Sequence, residues 1–312
     1  LKSFRFLKGA SMTKYDIIIP IGSVCKTSQN LRDLKKQNES LPFDWIFVAD
    51  LDMIYTALET HFADFLKLEN MEYKCKESEQ TDIYFDRATG IGFWHDFPHN
   101  VPIEKSFDAI KKKYNRRIER LFNEIGQAKD ILFLRVCTIR PKSDYSIENI
   151  IYHKTVTSDE VVEEQFQRLK ALYPDKNVDM LEVSLFNEPH PYLERRLNSN
   201  LVRIEAYSPI KYEWQGDPAV FKKILRPYDL KYGVKFKYLL KTIRFKAHKF
   251  AVNIGAKLGI AKYQEEKKRL KKGNDESSYV PYEKILRENK IVPSMKTAEY
   301  LTDIRNFNWD NT

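Results

Sequence analysis

The chain has 312 residues, with 53 Lys or Arg against 44 Asp or Glu, and it is 42% hydrophobic and 31% charged. Its 19 Phe, 18 Tyr and 4 Trp exclude a disordered chain, while only 10 Gly and 13 Pro exclude a collagen-like or low-complexity one. Three cysteines cannot build a disulfide framework and no apolar run approaches the roughly 18 residues of a membrane span, so a reducing, cytoplasmic setting is expected.

Leu1 to Ser11 carries Lys2, Arg5 and Lys8 among its apolar residues and so lacks the continuous hydrophobic region of a secretory signal. Met12 reads as the native start, and residues 1–11 are set aside as added or disordered sequence. Four apolar runs read as buried strands: Asp16 to Ile21, Ile131 to Val136, Val178 to Leu185 and Leu201 to Ala206. Helical periodicity separates most of them. It spans Asp50 to Leu66, Glu104 to Ile125 and Asp159 to Leu172. Ile83-Tyr84-Phe85 and Ile91-Gly92-Phe93-Trp94 flank a Gly90-containing loop and read as a β-hairpin. Alternation of strands and helices predicts an α/β fold with a mainly parallel central sheet over residues 12–218. Residues 219–312 read as a basic helical C-terminal region.

Charge is unevenly spread. Residues 222–272 hold 17 Lys or Arg against 3 acidic residues, a local charge of +14 within a total of +9. Within that stretch Phe236, Leu239, Leu240, Ile243, Phe250, Ile254 and Leu258 recur at helical spacing, with lysines between them. An amphipathic helix of this kind packs its apolar face on the protein's own core or lies on an anionic membrane surface. Nucleic acid is a weaker reading, because no recognised nucleic-acid module is present.

The segment Ile21-Gly22-Ser23-Val24-Cys25 ends the first strand and opens a helix. Ligands of open parallel sheets bind at the carboxyl ends of strands, and helix N-termini stabilise anions, including thiolates and oxyanions. Cys25 there is a candidate nucleophile, against the plain alternative of a small packed residue. It needs a base. His95 and His99 both follow the second hairpin strand, and spacing does not choose between them. Asp44, in Pro42-Phe43-Asp44-Trp45, is the candidate third group. Arg135 interrupts an apolar strand, and so is either internally paired or an anion clamp. Arg116 and Arg120 lie four apart on one helical face. No phosphate-binding loop, dinucleotide fingerprint or zinc spacing is present, and no metal is expected. Asp50-Leu51-Asp52 has a metal-motif spacing but opens a helix.

Taken together, Gly22-Ser23-Val24-Cys25, Pro42-Phe43-Asp44-Trp45, His95-Asp96, Tyr114-Asn115-Arg116-Arg117 and Leu132-Phe133-Leu134-Arg135 resemble a bacterial domain of unknown function, over about residues 14–210. That family is described as papain-like cysteine peptidases, often linked to surface-polysaccharide gene clusters. The resemblance implies Cys25 as nucleophile and His95 as base. The strand–helix pattern looks more like the three-layer α/β fold of SGNH-type esterases than a papain-like fold. The expected function is therefore thiol-dependent acyl transfer or hydrolysis in capsule or lipopolysaccharide assembly. Its substrate would be a glycan or lipid-linked glycan, with coenzyme A or another acyl donor, and residues 222–272 would hold it at the membrane's inner face. Gly22, Ser23, Trp45, Asp96, Arg116, Arg117 and Arg135 are the expected substrate-binding residues. The alternatives are a non-catalytic module binding a phosphorylated glycan, a peptidase, and a glycosyl or phosphoryl transferase.

Overall fold

The computed structural model describes residues 12–23, 25–37, 39–48, 51–139, 158–209 and 215–232, with residues 250, 251, 253, 254, 257–261, 263 and 264 further on. The chain divides into two compact units, with a boundary after Lys231.

In the first unit β2 (Ile17–Pro20), β7 (Asp130–Ile139), β8 (Asn177–Phe186) and β10 (Leu201–Tyr207) form a parallel sheet in that order. These are the four apolar runs of the sequence. β9 (Leu193–Arg196) adds an antiparallel edge strand whose Leu-Glu-Arg-Arg sequence hides it from an apolar scan. The expected mixed α/β architecture with a mainly parallel sheet is thus present. A second, four-stranded antiparallel sheet runs β3-β6-β5-β4, from Ile46–Phe47, Ile91–Pro98, Thr81–Asp86 and Met71–Lys76. β5 and β6 are the predicted hairpin.

Three helices match the predicted periodicities. They are α2 (Leu51–Glu59), α3 (Ile103–Gln127) and α4 (Asp159–Ala171). α2 stops short of Leu66 because the chain turns through positive φ at His61, Phe62 and Leu66. α1 (Lys26–Asp33) follows Cys25, and α5 (Pro218–Leu225) starts with Asp217 capping the Ala219 N–H and Pro218 in its first turn. The expectation of helix throughout 219–272 fails at β11 (Tyr228–Leu230), which pairs in parallel with β1 (Thr13–Tyr15). Polar contacts outweigh the basic pattern there: Lys36 binds the Tyr228 carbonyl and the Asp229 carboxylate.

The core lies between the parallel sheet, α2, α3, α4 and the antiparallel sheet. Ile17, Ile19, Ile131, Phe133, Val178, Met180 and Leu201 pack with Val162, Phe166 and Leu169 of α4. In the second unit, Phe250, Ala251, Asn253, Ile254 and Lys257 have helical backbone. The predicted amphipathic segment 235–249, the linker 272–278 and the C-terminal tail lie outside the described residues, as do residues 1–11. No described helix is long and apolar enough to cross a membrane.

Candidate active site

The sheet edge that carries Cys25 is built by short-range backbone pairing. Past the end of β2, the Ile21 N–H donates to the Leu134 carbonyl at 2.8 Å. Gly22 then lets the chain fold tightly: a Cβ there would sit 2.0 Å from Thr27 Oγ1 and 3.0 Å from Thr27 Cβ. The Ser23 N–H donates to the Val136 carbonyl at 3.4 Å and its hydroxyl to the same oxygen at 3.2 Å. The Ser23 carbonyl accepts from the Val48 N–H at 3.0 Å. Ser23 therefore joins three segments of the site by its own hydrogen bonds.

Cys25 is the N-cap residue of α1 and is half-buried. Its carbonyl accepts from the Gln29 N–H at 3.1 Å, closing the first helical turn. First-turn amides have no acceptor within their own helix, and with the helix dipole they favour negative charge at this place. Lys26 is buried against the sheet, its ammonium donating to Thr138 Oγ1 of β7. Thr27 Oγ1 and Ser28 Oγ are buried and hydrogen-bond no described residue. The sequence reading passed over both hydroxyls; their position two and three residues after a nucleophile candidate was the available signal.

Arg135 lies between the two β7 carbonyls that hold Ile21 and Ser23. It is 1% exposed. Its Nε donates to Cys137 Sγ at 3.2 Å, and the β7–β8 register sets it beside Glu182. Glu182 faces Arg203 in turn, with Nε to Oε2 at 3.3 Å. Burial pushes Glu182 toward its protonated form, against the pull of Arg203 and Arg135. Burial works against the Arg135 charge, and Cys137 and Glu182 more than offset it. Arg135 is thus held within the sheet by the Cys137 sulfur and the neighbouring charge of Glu182. Glu182 was missed, although a lone acid in Met180-Leu181-Glu182-Val183 is as conspicuous as Arg135 in its own strand.

The other predicted residues gather elsewhere. Asp44 is fully buried and accepts from Gln37 Nε2 at 3.0 and 2.9 Å, from the Leu41 N–H at 3.0 Å and from Arg32 at 3.3 Å. Burial raises its pKa in spite of Arg32. Trp45 is 6% exposed, with the Arg32 guanidinium 5.1 Å from its ring centroid. Asp96 accepts from Lys113 and from the Tyr114 hydroxyl. Burial favours its protonated form, but the charges of Lys113 and Arg117 hold its pKa below the ordinary value. Arg117 is buried with its guanidinium 5.0 Å from the Tyr114 ring centroid, whereas Arg116 is exposed.

His95 lies on β6 beside this second group. β3 pairs Phe47 with Gly92, and the next residue, Val48, bonds Ser23. His95 is three residues further along β6 than Gly92, roughly 10 Å at strand rise. Among the described residues no hydrogen bond joins it to Cys25. Burial depresses its pKa, with Asp96 raising it and Lys113 lowering it, so the ring is neutral near pH 7. His99 instead meets Asp82, with Nδ1 to Oδ1 at 2.7 Å.

No solved structure matches this chain. An uncharacterized protein of Acanthamoeba polyphaga mimivirus, R408, is 26% identical over 140 residues, which cover 40% of this chain and 63% of the relative. The chain thus spans less than two thirds of that relative. Residues 16–159 hold the Cys25 turn, Asp44, His95, α3 and Arg135, and they match a family model. That segment, somewhat less than half of the chain, is similar to the family described as "Putative papain-like cysteine peptidase (DUF1796)".

Proposed function

We propose that the chain is a cysteine-dependent acyl hydrolase or acyl transferase with Cys25 as its nucleophile. One observation carries this reading. Of the three cysteines, only Cys25 joins partial exposure to a helix N-terminus at the carboxyl edge of the parallel sheet. Cys137 is buried against Arg135, and Cys75 lies in β4 of the antiparallel sheet. The Cys25 thiolate attacks an acyl carbon, and the first-turn amides of α1 receive the oxyanion. Collapse expels the alcohol, thiol or amine leaving group, which takes a proton from the base. Water or an acceptor hydroxyl then cleaves the acyl-thioester.

The resemblance assigns the base to His95, and its neutral ring is the form that accepts a proton. Asp44 is the proposed third group, with its contacts to Arg32 and Gln37 fixing it in the fold. Of the expected anion-binding arginines, Arg116 is the exposed one. The strand–nucleophile–helix order favours an SGNH-like reading of the architecture. A glycan or lipid-linked glycan acceptor and a role in surface-polysaccharide assembly rest on the resemblance, coenzyme A or another acyl donor on the arginines, and a cytoplasmic location on the three cysteines. Peptide hydrolysis is the second reading, favoured by the family description.

Iodoacetamide labelling of the folded chain across pH, read by mass spectrometry, tests the first step. Cys25 is expected to label fastest, with Cys137 protected. Aryl esters, acyl-coenzyme A and peptide substrates then separate the acyl classes. Cys25→Ala should lower turnover on the order of a thousandfold. Unchanged turnover in that variant overturns the proposal, and unchanged turnover in His95→Ala removes His95 as the base.

A further inference from the structure

The second unit presents an apolar face that nothing described covers. Phe250 is 68% exposed, Ile254 43%, Leu258 71% and Ile260 45%. Phe250, Ile254 and Leu258 stand four residues apart, so they share one side of a helical segment. The Leu258 N–H donates to the Ile254 carbonyl at 3.0 Å, and Gly259 at φ +77° ends the turn. Four large apolar side chains exposed within eleven residues exceed the scattered exposure of an ordinary surface.

Along the sequence, the charge leading up to and through this segment is of one sign. Between Asp229 and Glu265 the sequence has nine Lys or Arg and no acidic residue. Lys257, on the described segment itself, is exposed. Like charge opposes a second copy of this chain on the face. An aliphatic stripe gains little from nucleic acid, whose affinity comes from phosphate contacts and base stacking. An anionic bilayer satisfies both features: its acyl boundary receives the apolar stripe, and its head groups receive the lysines.

We infer that the segment around residues 250–260 is an interfacial anchor for an anionic lipid bilayer. Phe250, Ile254 and Leu258 enter the head-group boundary, and the flanking lysines supply the electrostatic attraction. This inference does not depend on the chemistry proposed for Cys25.

Co-sedimentation of the full chain with vesicles of phosphatidylcholine, with and without phosphatidylglycerol, tests it. The chain should pellet with the phosphatidylglycerol vesicles and release as salt is raised. Phe250→Asp with Leu258→Asp should weaken binding at least about tenfold. Both positions are exposed, so an unchanged circular dichroism spectrum is expected. Lys257→Glu provides a second variant that leaves the apolar stripe intact and should weaken binding severalfold at low salt. Equal binding by the aspartate variant overturns the inference, as does failure of the unaltered chain to pellet. Tight binding to single-stranded RNA that the aspartates leave unchanged, with no vesicle binding, assigns the charge to nucleic acid and also overturns it.

Discussion

The face of the parallel sheet that meets α4 has two halves of opposite character. Toward the amino ends of the strands it is apolar, with Ile131, Phe133, Val178, Met180 and Leu201 packed on Val162, Phe166 and Leu169. Toward the carboxyl ends the next register row on this face holds Arg135, Glu182 and Arg203, all nearly inaccessible. The first half is stable through packing alone. The second must keep every charge matched, because an unmatched buried charge is far more costly than a lost methylene. The charged half is also the half next to the Ser23–Cys25 turn. Packing and the proposed chemistry are thus divided along single strands.

Five substitutions, singly and in pairs, sharpen this contrast. Arg135→Ala strips Glu182 of a partner and should cost about 3–5 kcal/mol in urea unfolding, and Glu182→Gln in the same chain should restore part of it. Phe133→Ala in the apolar half should also cost about 3–5 kcal/mol, but through a cavity that no change of charge repairs. Equal rescue of both variants by Glu182→Gln would erase the distinction. Gly22→Ala forces a Cβ against Thr27 and should cost about 1–3 kcal/mol, partly recovered by Thr27→Ala. Additive effects of that pair would show that the turn relaxes instead.

The smallest effect concerns pH. The folded chain holds the His95 pKa below its ordinary value of 6.5. The unfolded chain therefore binds the proton first, and the stability contributed by the neutral buried ring is present above pH 6.5 and lost as pH falls below it. The slope is at most about 1.4 kcal/mol per pH unit. Unfolding midpoints from pH 7 downward should decline less steeply in His95→Asn. An identical decline in both chains would remove His95 from the acid response.

What could be read in advance follows the same division. β2, β7, β8 and β10 were visible because strands buried on both faces are continuous apolar runs. β4, with Met71-Glu72-Tyr73-Lys74-Cys75-Lys76, and β9 were not, because edge strands of these sheets keep charged residues at the surface. The Gly22–Cys25 turn was visible as a strand end followed by a helix start. The partners of Arg135 and Asp44 were not. Glu182 reaches Arg135 through strand register, and Gln37 and Arg32 reach Asp44 through the turn after α1. Local pattern contains neither relation.

The β1–β11 pair has a consequence for the timing of folding. Thr13 to Tyr15 pairs with Tyr228 to Leu230, and Lys231 reaches back across 215 residues to Asp16. At roughly 5–20 residues per second of synthesis, the first strand waits about 10–40 s for its partner to be made. During that interval its unpaired edge is open to association with other nascent chains. The pairing of this edge is therefore timed by the ribosome, and any truncation before Tyr228 leaves it permanently unmatched.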